Sequence, residues 1–130
     1  MIRTILSAAV LGTCLASAPA HAGGSVSLSY QPTNRQDAHM LQTGLRLYAL
    51  AEGIRSGSIR QKGFGNAAGL AQNGRGNLGI VHQEGRGHEG TVTQNGDGNA
   101  YGLFQFGRGT SGHVVQNGNY QSGATFQYGW

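Results

Sequence analysis

From residue 55 onward, polar and apolar positions recur with a fixed step of eleven. Glutamine stands at 61, 72, 83, 94, 105, 116 and 127. Two positions before each lies Ile59, Leu70, Val81, Val92, Leu103, Val114 or Thr125. Two positions after each comes a glycine, and four positions after, glycine recurs at 65, 76, 87, 98 and 109, with Tyr120 as the departure. Six positions before, the series runs Arg55, Asn66, Asn77, His88, Asn99, Thr110 and Gln121. Self-similarity at a constant period predicts a repeat architecture, ahead of any local reading of secondary structure.

Within one unit the first seven residues alternate. Asn66, Ala68, Leu70 and Gln72 share one face, while Ala67, Gly69 and Ala71 share the other, the period of a β-strand. The x-Gly-x-Gly stretch that comes next reaches positive φ without a Cβ penalty and so predicts a tight turn. Strands are expected over 55–61, 66–72, 77–83, 88–94, 99–105, 110–116 and 121–127, alternating between two facing sheets. The fold class is all-β: a two-sheet parallel β-solenoid over residues 55–130. A meander of hairpins would give no reason to repeat the same amides at the same inward position. Stacked coils place equivalent residues about 4.8 Å apart, where an amide on one rung can bond an amide on the next. The candidate self-assembly ladder is therefore Gln61, Asn66, Gln72, Asn77, Gln83, Gln94, Asn99, Gln105, Gln116 and Gln127.

Residues 23–54 break the period. Ser25 to Gln31 alternates as a strand would, and Pro32 ends it. Over 35–53 the spacing becomes helical: Ala38, Leu41, Leu45 and Tyr48 fall on one face, and Met40, Leu47 and Leu50 widen it. Asn34 with Asp37 predicts an N-cap and Gly53 a C-terminal stop. This short helical segment is expected to cover the first rung, because solenoid ends need protection. Residues 1–22 read as a secretory signal peptide: Arg3, an apolar run from Ile5 to Leu15, and Ala20-His21-Ala22 as the cleavage site. Cys14 lies inside that segment, so the secreted part is expected to hold no disulfide and to draw its stability from elsewhere.

The inward aliphatic side chains are too few to offset the entropy of ordering the repeats, so ladders that grow with each added rung must contribute. The open strand edges at either end would accept another chain. Seven strands is an odd number. In a head-to-tail fibre the next chain's first strand therefore falls on the sheet opposite the last, relating successive subunits by about a half-turn.

Composition narrows the chemistry. Only 11% of the 130 residues are charged, and the formal net charge is +4. His39, His82, His88 and His113 are scattered without metal-ligand spacing, and five carboxylates give no acid–base pair. The sequence predicts no enzyme activity, no cofactor and no metal site, and no stretch long enough to span a membrane. Arg75, Arg86 and Arg108 each stand between two turn glycines. They read as gatekeepers that slow premature aggregation, or as contacts for extracellular DNA or polysaccharide with Phe64, Phe106 and Tyr128 interleaved.

The segment Gln61-Lys62-Gly63-Phe64-Gly65-Asn66-Ala67-Ala68-Gly69-Leu70-Ala71-Gln72 closely resembles the curlin repeat, and Gln94-Asn95-Gly96-Asp97-Gly98-Asn99 repeats its opening. The resemblance covers about residues 55–130. It implies an extracellular functional amyloid of the biofilm matrix, a fibre at the cell surface that acts in adhesion and cell aggregation. The implied partners are the chain itself, a nucleator subunit and an outer-membrane export pore reached through the periplasm, with an export-related role possible for residues 23–54. It also assigns interior ladders to the inward Asn and Gln positions. Arg55, His88, Thr110 and Gln121 depart from the family's Asn or Ser, and Tyr101 from a small inward residue. The rival class is a soluble monomeric solenoid that binds extracellular polyanions through its Arg turns or its Phe104 and Phe126 face.

Overall fold

The computed structural model describes residues 24–130; the expected signal peptide and Cys14 lie outside the described residues. The elements are β1 (Ser25–Tyr30), α1 (Arg35–Glu52), β2 (Gly57–Phe64), β3 (Ala67–Asn73), β4 (Leu78–Arg86), β5 (Glu89–Asn95), β6 (Ala100–Arg108), β7 (Ser111–Asn117) and β8 (Ser122–Gly129). Strands β2 to β8 wind into a solenoid of two parallel sheets, β8-β6-β4-β2 and β3-β5-β7. The seven expected strands and their alternation between sheets are all present. Each coil consumes two repeats, so registration runs in steps of 22 residues: Gln61 beside Gln83, Gln83 beside Gln105, Gln105 beside Gln127, and on the other sheet Gln72, Gln94 and Gln116.

The two glycines of each turn do different physical work. Gly65, Gly76, Gly87, Gly98 and Gly109 have φ near +70°, the left-handed conformation that ends a strand sharply. Tyr120 takes the same conformation at φ 56°, which explains how the repeat tolerates its missing glycine. The other set, exemplified by Gly85 at φ 117°, is needed for stacking. A Cβ on Gly85 would lie 1.8 Å from the carbonyl oxygen of Gly107 on the next rung.

The lumen is filled by Val81, Val92, Tyr101 and Leu103, with Ala68, Leu70 and Val114 against them. Leucines of one sheet interlock with glycines of the other. Leu70 occupies the space a Cβ would need on Gly57 and Gly79, and Leu103 does the same at Gly90 and Gly112. Tyr101, inward where the repeat normally places a small residue, lies over Gly123, and its hydroxyl bonds the Thr125 hydroxyl.

Helix α1 forms where expected. The Asn34 side chain accepts from the Asp37 N–H at 2.7 Å, and Gly53 closes the C-terminus in the left-handed conformation. Its position differs from the expectation. It does not cover the first rung but lies along the outer face of the larger sheet, where Leu45 and Ala49 pack on Leu78, Ile80 and Ala100. The physical reason is that β4, β6 and β8 carry small or apolar residues outward in their first halves, a second apolar face that only a helix running along the sheet can bury. Gln42 donates to the Gly98 carbonyl and Arg46 to the Gly76 carbonyl, tying the helix to the turns. Met40, Leu47 and Leu50, read as widening the buried face, are exposed.

Strand β1 is the one antiparallel strand among the described residues. It pairs with β8, from Ser25 opposite Gly129 to Tyr30 opposite Ala124. The rung it covers is the last, not the first.

Candidate self-assembly interface

The inward glutamines form two columns. In the larger sheet Gln61 donates to Gln83, Gln83 to Gln105 and Gln105 to Gln127, at 2.7 to 2.8 Å from amide nitrogen to amide oxygen. In the smaller, Gln72 donates to Gln94 and Gln94 to Gln116, each at 2.9 Å. Gln83, Gln94, Gln105 and Gln116 are wholly buried.

Each amide after Gln61 also makes a bond that the eleven-residue period does not announce. Its second N–H crosses the lumen to the backbone carbonyl sixteen residues earlier: Gln83 to Ala67, Gln94 to Leu78, Gln105 to Glu89 and Gln127 to Ser111. One side chain thus bonds along the axis and also locks the two sheets of its own coil. Glutamine suits this because a single amide offers two donors and an acceptor at the end of a chain long enough to reach the opposite sheet.

The asparagines behave differently from a side-chain ladder. Asn77 accepts from the Asn99 backbone N–H and donates to the Gly96 carbonyl; Asn99 does the same with Gln121 and Gly118. Asn66 likewise holds His88 and Gly85. These shorter side chains brace the turn of the next rung and do not bond one another. His88 fits the same column by imitating asparagine. Its Nδ1 accepts from the Thr110 hydroxyl and backbone N–H, and its Nε2–H donates to the Glu84 carbonyl. That pattern fixes the neutral tautomer with hydrogen on Nε2.

One amide ladder escaped the sequence reading: Asn73, Asn95 and Asn117 bond side chain to side chain on the exterior, at 2.9 and 2.8 Å. The signal was available in the Gln-Asn dipeptide that recurs at 72–73, 94–95 and 116–117.

Arg86 and Arg108 are in register on adjacent rungs of one edge. Arg75 stands on the opposite edge, its backbone N–H bonded to the Asp97 carboxylate of the next turn. On the outer face Phe104 and Phe126 stack at 4.9 Å with planes 10° apart. Among the described residues no group of His, Cys, Asp or Glu could hold a metal, and no helix is long and apolar enough to cross a membrane.

Burial raises the Tyr101 phenol above its ordinary value, and the Thr125 bond offsets this in part. A raised acid leaves full stability below about pH 10 and removes it as pH climbs through the raised value, because the unfolded chain gives up its proton first. Tyr101→Phe should therefore flatten the alkaline fall in stability, read by urea unfolding between about pH 8 and 11. An unchanged slope would show that the phenol is not protected.

The two ends of the solenoid differ. At the first rung the edges of β2 and β3 meet no further strand among the described residues, and Ile59, an inward residue, is 45% exposed. At the last rung β7 is open while β8 is paired with β1. Strand edges, in-register amide columns and a lumen open at its ends are the features of a surface that accepts more of the same structure.

Comparison with known proteins agrees with this geometry. Residues 56–85, which run from β2 into β4, match the curlin associated repeat. Neither curated proteins nor solved structures gave a match to the chain. The matched pattern continues with the same step to β8, one coil registered on the next throughout. Residues 56–85 of the chain are thus similar to the curlin associated repeat.

Proposed function

We propose that this chain is the secreted structural subunit of a curli-like extracellular amyloid fibre, acting in the biofilm matrix, in surface adhesion and in cell aggregation. The observation that carries the reading is the pair of glutamine columns that run the length of the solenoid and reach open strand edges at β2, β3 and β7. Every rung added extends both columns, so association strengthens with the order already present. The inward Gln and Asn residues act in this reading as the templating surface, and Arg75, Arg86 and Arg108 as charged turns that slow premature association. A nucleator subunit and an outer-membrane pore are the partners the family resemblance implies. The odd strand count relates successive subunits by about a half-turn.

The polyanion-binding alternative is less well supported by the outer aromatics. Phe104 and Phe126 stack on each other, which occupies ring faces that a base or sugar would need.

Purified protein should leave the soluble state after a lag, gain amyloid-dye signal, and lose the lag when seeded. Gln83→Ala and Gln94→Ala should slow this more than His82→Ala, because the first two are interior and the third stands on the outer face against Phe104 and Phe106. Equal kinetics for the three, or a protein that stays monomeric at high concentration with salt-sensitive polyanion binding, would contradict the proposal.

A further inference from the structure

We infer that β1 is a removable plug, seated where β3 of a second copy binds. The inference rests on the fibre reading and adds a condition to it: each junction between subunits requires one β1 to leave.

The step of eleven determines which strand comes after β8. The next strand in the winding belongs on the smaller sheet, against the free edge of β7. There β2 of a second copy would set Gly57, Ile59 and Gln61 above Gly112, Val114 and Gln116, matching inward residues in kind. The space is vacant. A hollow of about 420 Å³ opens beside β7, with Ser27, Ser29, Tyr101, Val114, Thr125 and Gln127 among its lining residues. Filling it would bury Ile59, which the isolated chain leaves half in water.

The strand after that, β3, belongs on the edge of β8. It would bring Leu70 above Thr125 and Gln72 above Gln127. That edge is held by β1. β1 is a poor substitute for a repeat strand in three respects. It runs antiparallel in a sheet whose other pairs are parallel, so it cannot pass the register on. It presents Ser27 and Ser29 toward the lumen where repeat strands present glutamine and an aliphatic residue. It also ends the glutamine column weakly: Gln127 donates to the Ser27 hydroxyl at 3.3 Å, against 2.7 to 2.9 Å for the glutamine pairs. Exchange of β1 for β3 would replace Ser29 and Ser27 by the leucine and glutamine that the column lacks. The first docking step, β2 on β7, needs no displacement, and the second does. β1 thus shields the edge of the larger sheet at the last rung and sets the rate at which subunits join.

Ser29 and Thr125 face each other with hydroxyl oxygens 3.0 Å apart. A chain carrying S29C, T125C and C14S, so that one disulfide can form, would lock the plug, with closure verified by mass. Offered to wild-type seeds, the oxidised form should elongate at background rate and the same protein after reduction should elongate well above it. Equal elongation in both states would overturn the inference while leaving the fibre reading intact. A second variant works in the opposite direction. Gly24 and Trp130 exchange both backbone bonds, so the alternation of an antiparallel pair gives Leu28 a ladder bond to Phe126. Leu28→Pro removes that N–H and should shorten the unseeded lag; an unchanged or longer lag would equally overturn the plug. Wild-type protein that never elongates on seeds would sink the fibre reading and the plug together.

Discussion

Replacement of Gly85 by alanine is expected to abolish the fold of the central coils, while the same change at Gly87 is tolerated. The two glycines are two residues apart in one turn and both have positive φ, 117° and 71°. At Gly87 the added Cβ would make only ordinary contacts, at 3.8 Å from the Gly109 nitrogen, and the expected cost is that of a left-handed alanine, about 1–2 kcal/mol. At Gly85 the Cβ would lie 1.8 Å from the Gly107 carbonyl, a backbone atom that cannot move without separating the rungs. That exceeds about 4 kcal/mol, a large share of the roughly 5–15 kcal/mol that holds a domain together. Denaturant unfolding of the soluble chain reads the difference. Comparable losses at both positions would mean that turn conformation, and not rung stacking, sets the need for glycine.

The same argument separates folding from assembly. Gly118 has the stacking conformation, φ 123°, but no rung of its own chain above it, and its Cβ would meet only the flexible end of Gln121. Gly118→Ala should cost the monomer about 1–3 kcal/mol of backbone strain. In a fibre the next subunit's Gly63 would lie against it, so the variant should fold and fail to elongate.

Gln105→Leu is expected to be the most damaging change among the polar interior residues. It strips a bond each from the Gln83 amide, the Gln127 carbonyl and the Glu89 backbone carbonyl, all inside the lumen. At about 1–3 kcal/mol for each of these three polar groups, the loss is on the order of 3–9 kcal/mol. Gln61→Leu, at the open first rung, removes only the bond to Gln83 from a residue already in contact with water, and should cost about 0.5–1.5 kcal/mol. Double-mutant cycles between Gln83 and Gln105 should show coupling, since the two amides polarise one another in series. A flat profile along the column, with the end and centre equally sensitive, would show that the amides act as independent surface groups.

The strands, their inward faces, the parallel pairing and the 22-residue register were legible because one strong signal, the glutamine period, acts at every level. What stayed hidden depends on distances through space. That Gln94 also reaches the Leu78 carbonyl is set by the width of the lumen, which no spacing along the chain encodes. Gly63, Gly74 and Gly85 looked like turn residues because positive φ and close stacking both demand glycine, and the sequence does not separate the two needs. The seat of α1 was written in Leu78, Ile80, Ala100 and Ala124, outward residues that are apolar in half the solenoid only; strand alternation turns them away from the lumen, and the helix buries that face. The pairing of β1 with β8 joins residues about a hundred positions apart, such as Ser27 and Gln127, with no local mark of the partner.

X-ray diffraction from aligned filaments of the assembled protein tests the whole account most directly. Stacked rungs require a strong meridional reflection near 4.8 Å, the repeat of parallel strands along the fibre axis. Well-aligned filaments that lack it, or show it across the axis, would mean that subunits join by some surface other than their strand edges.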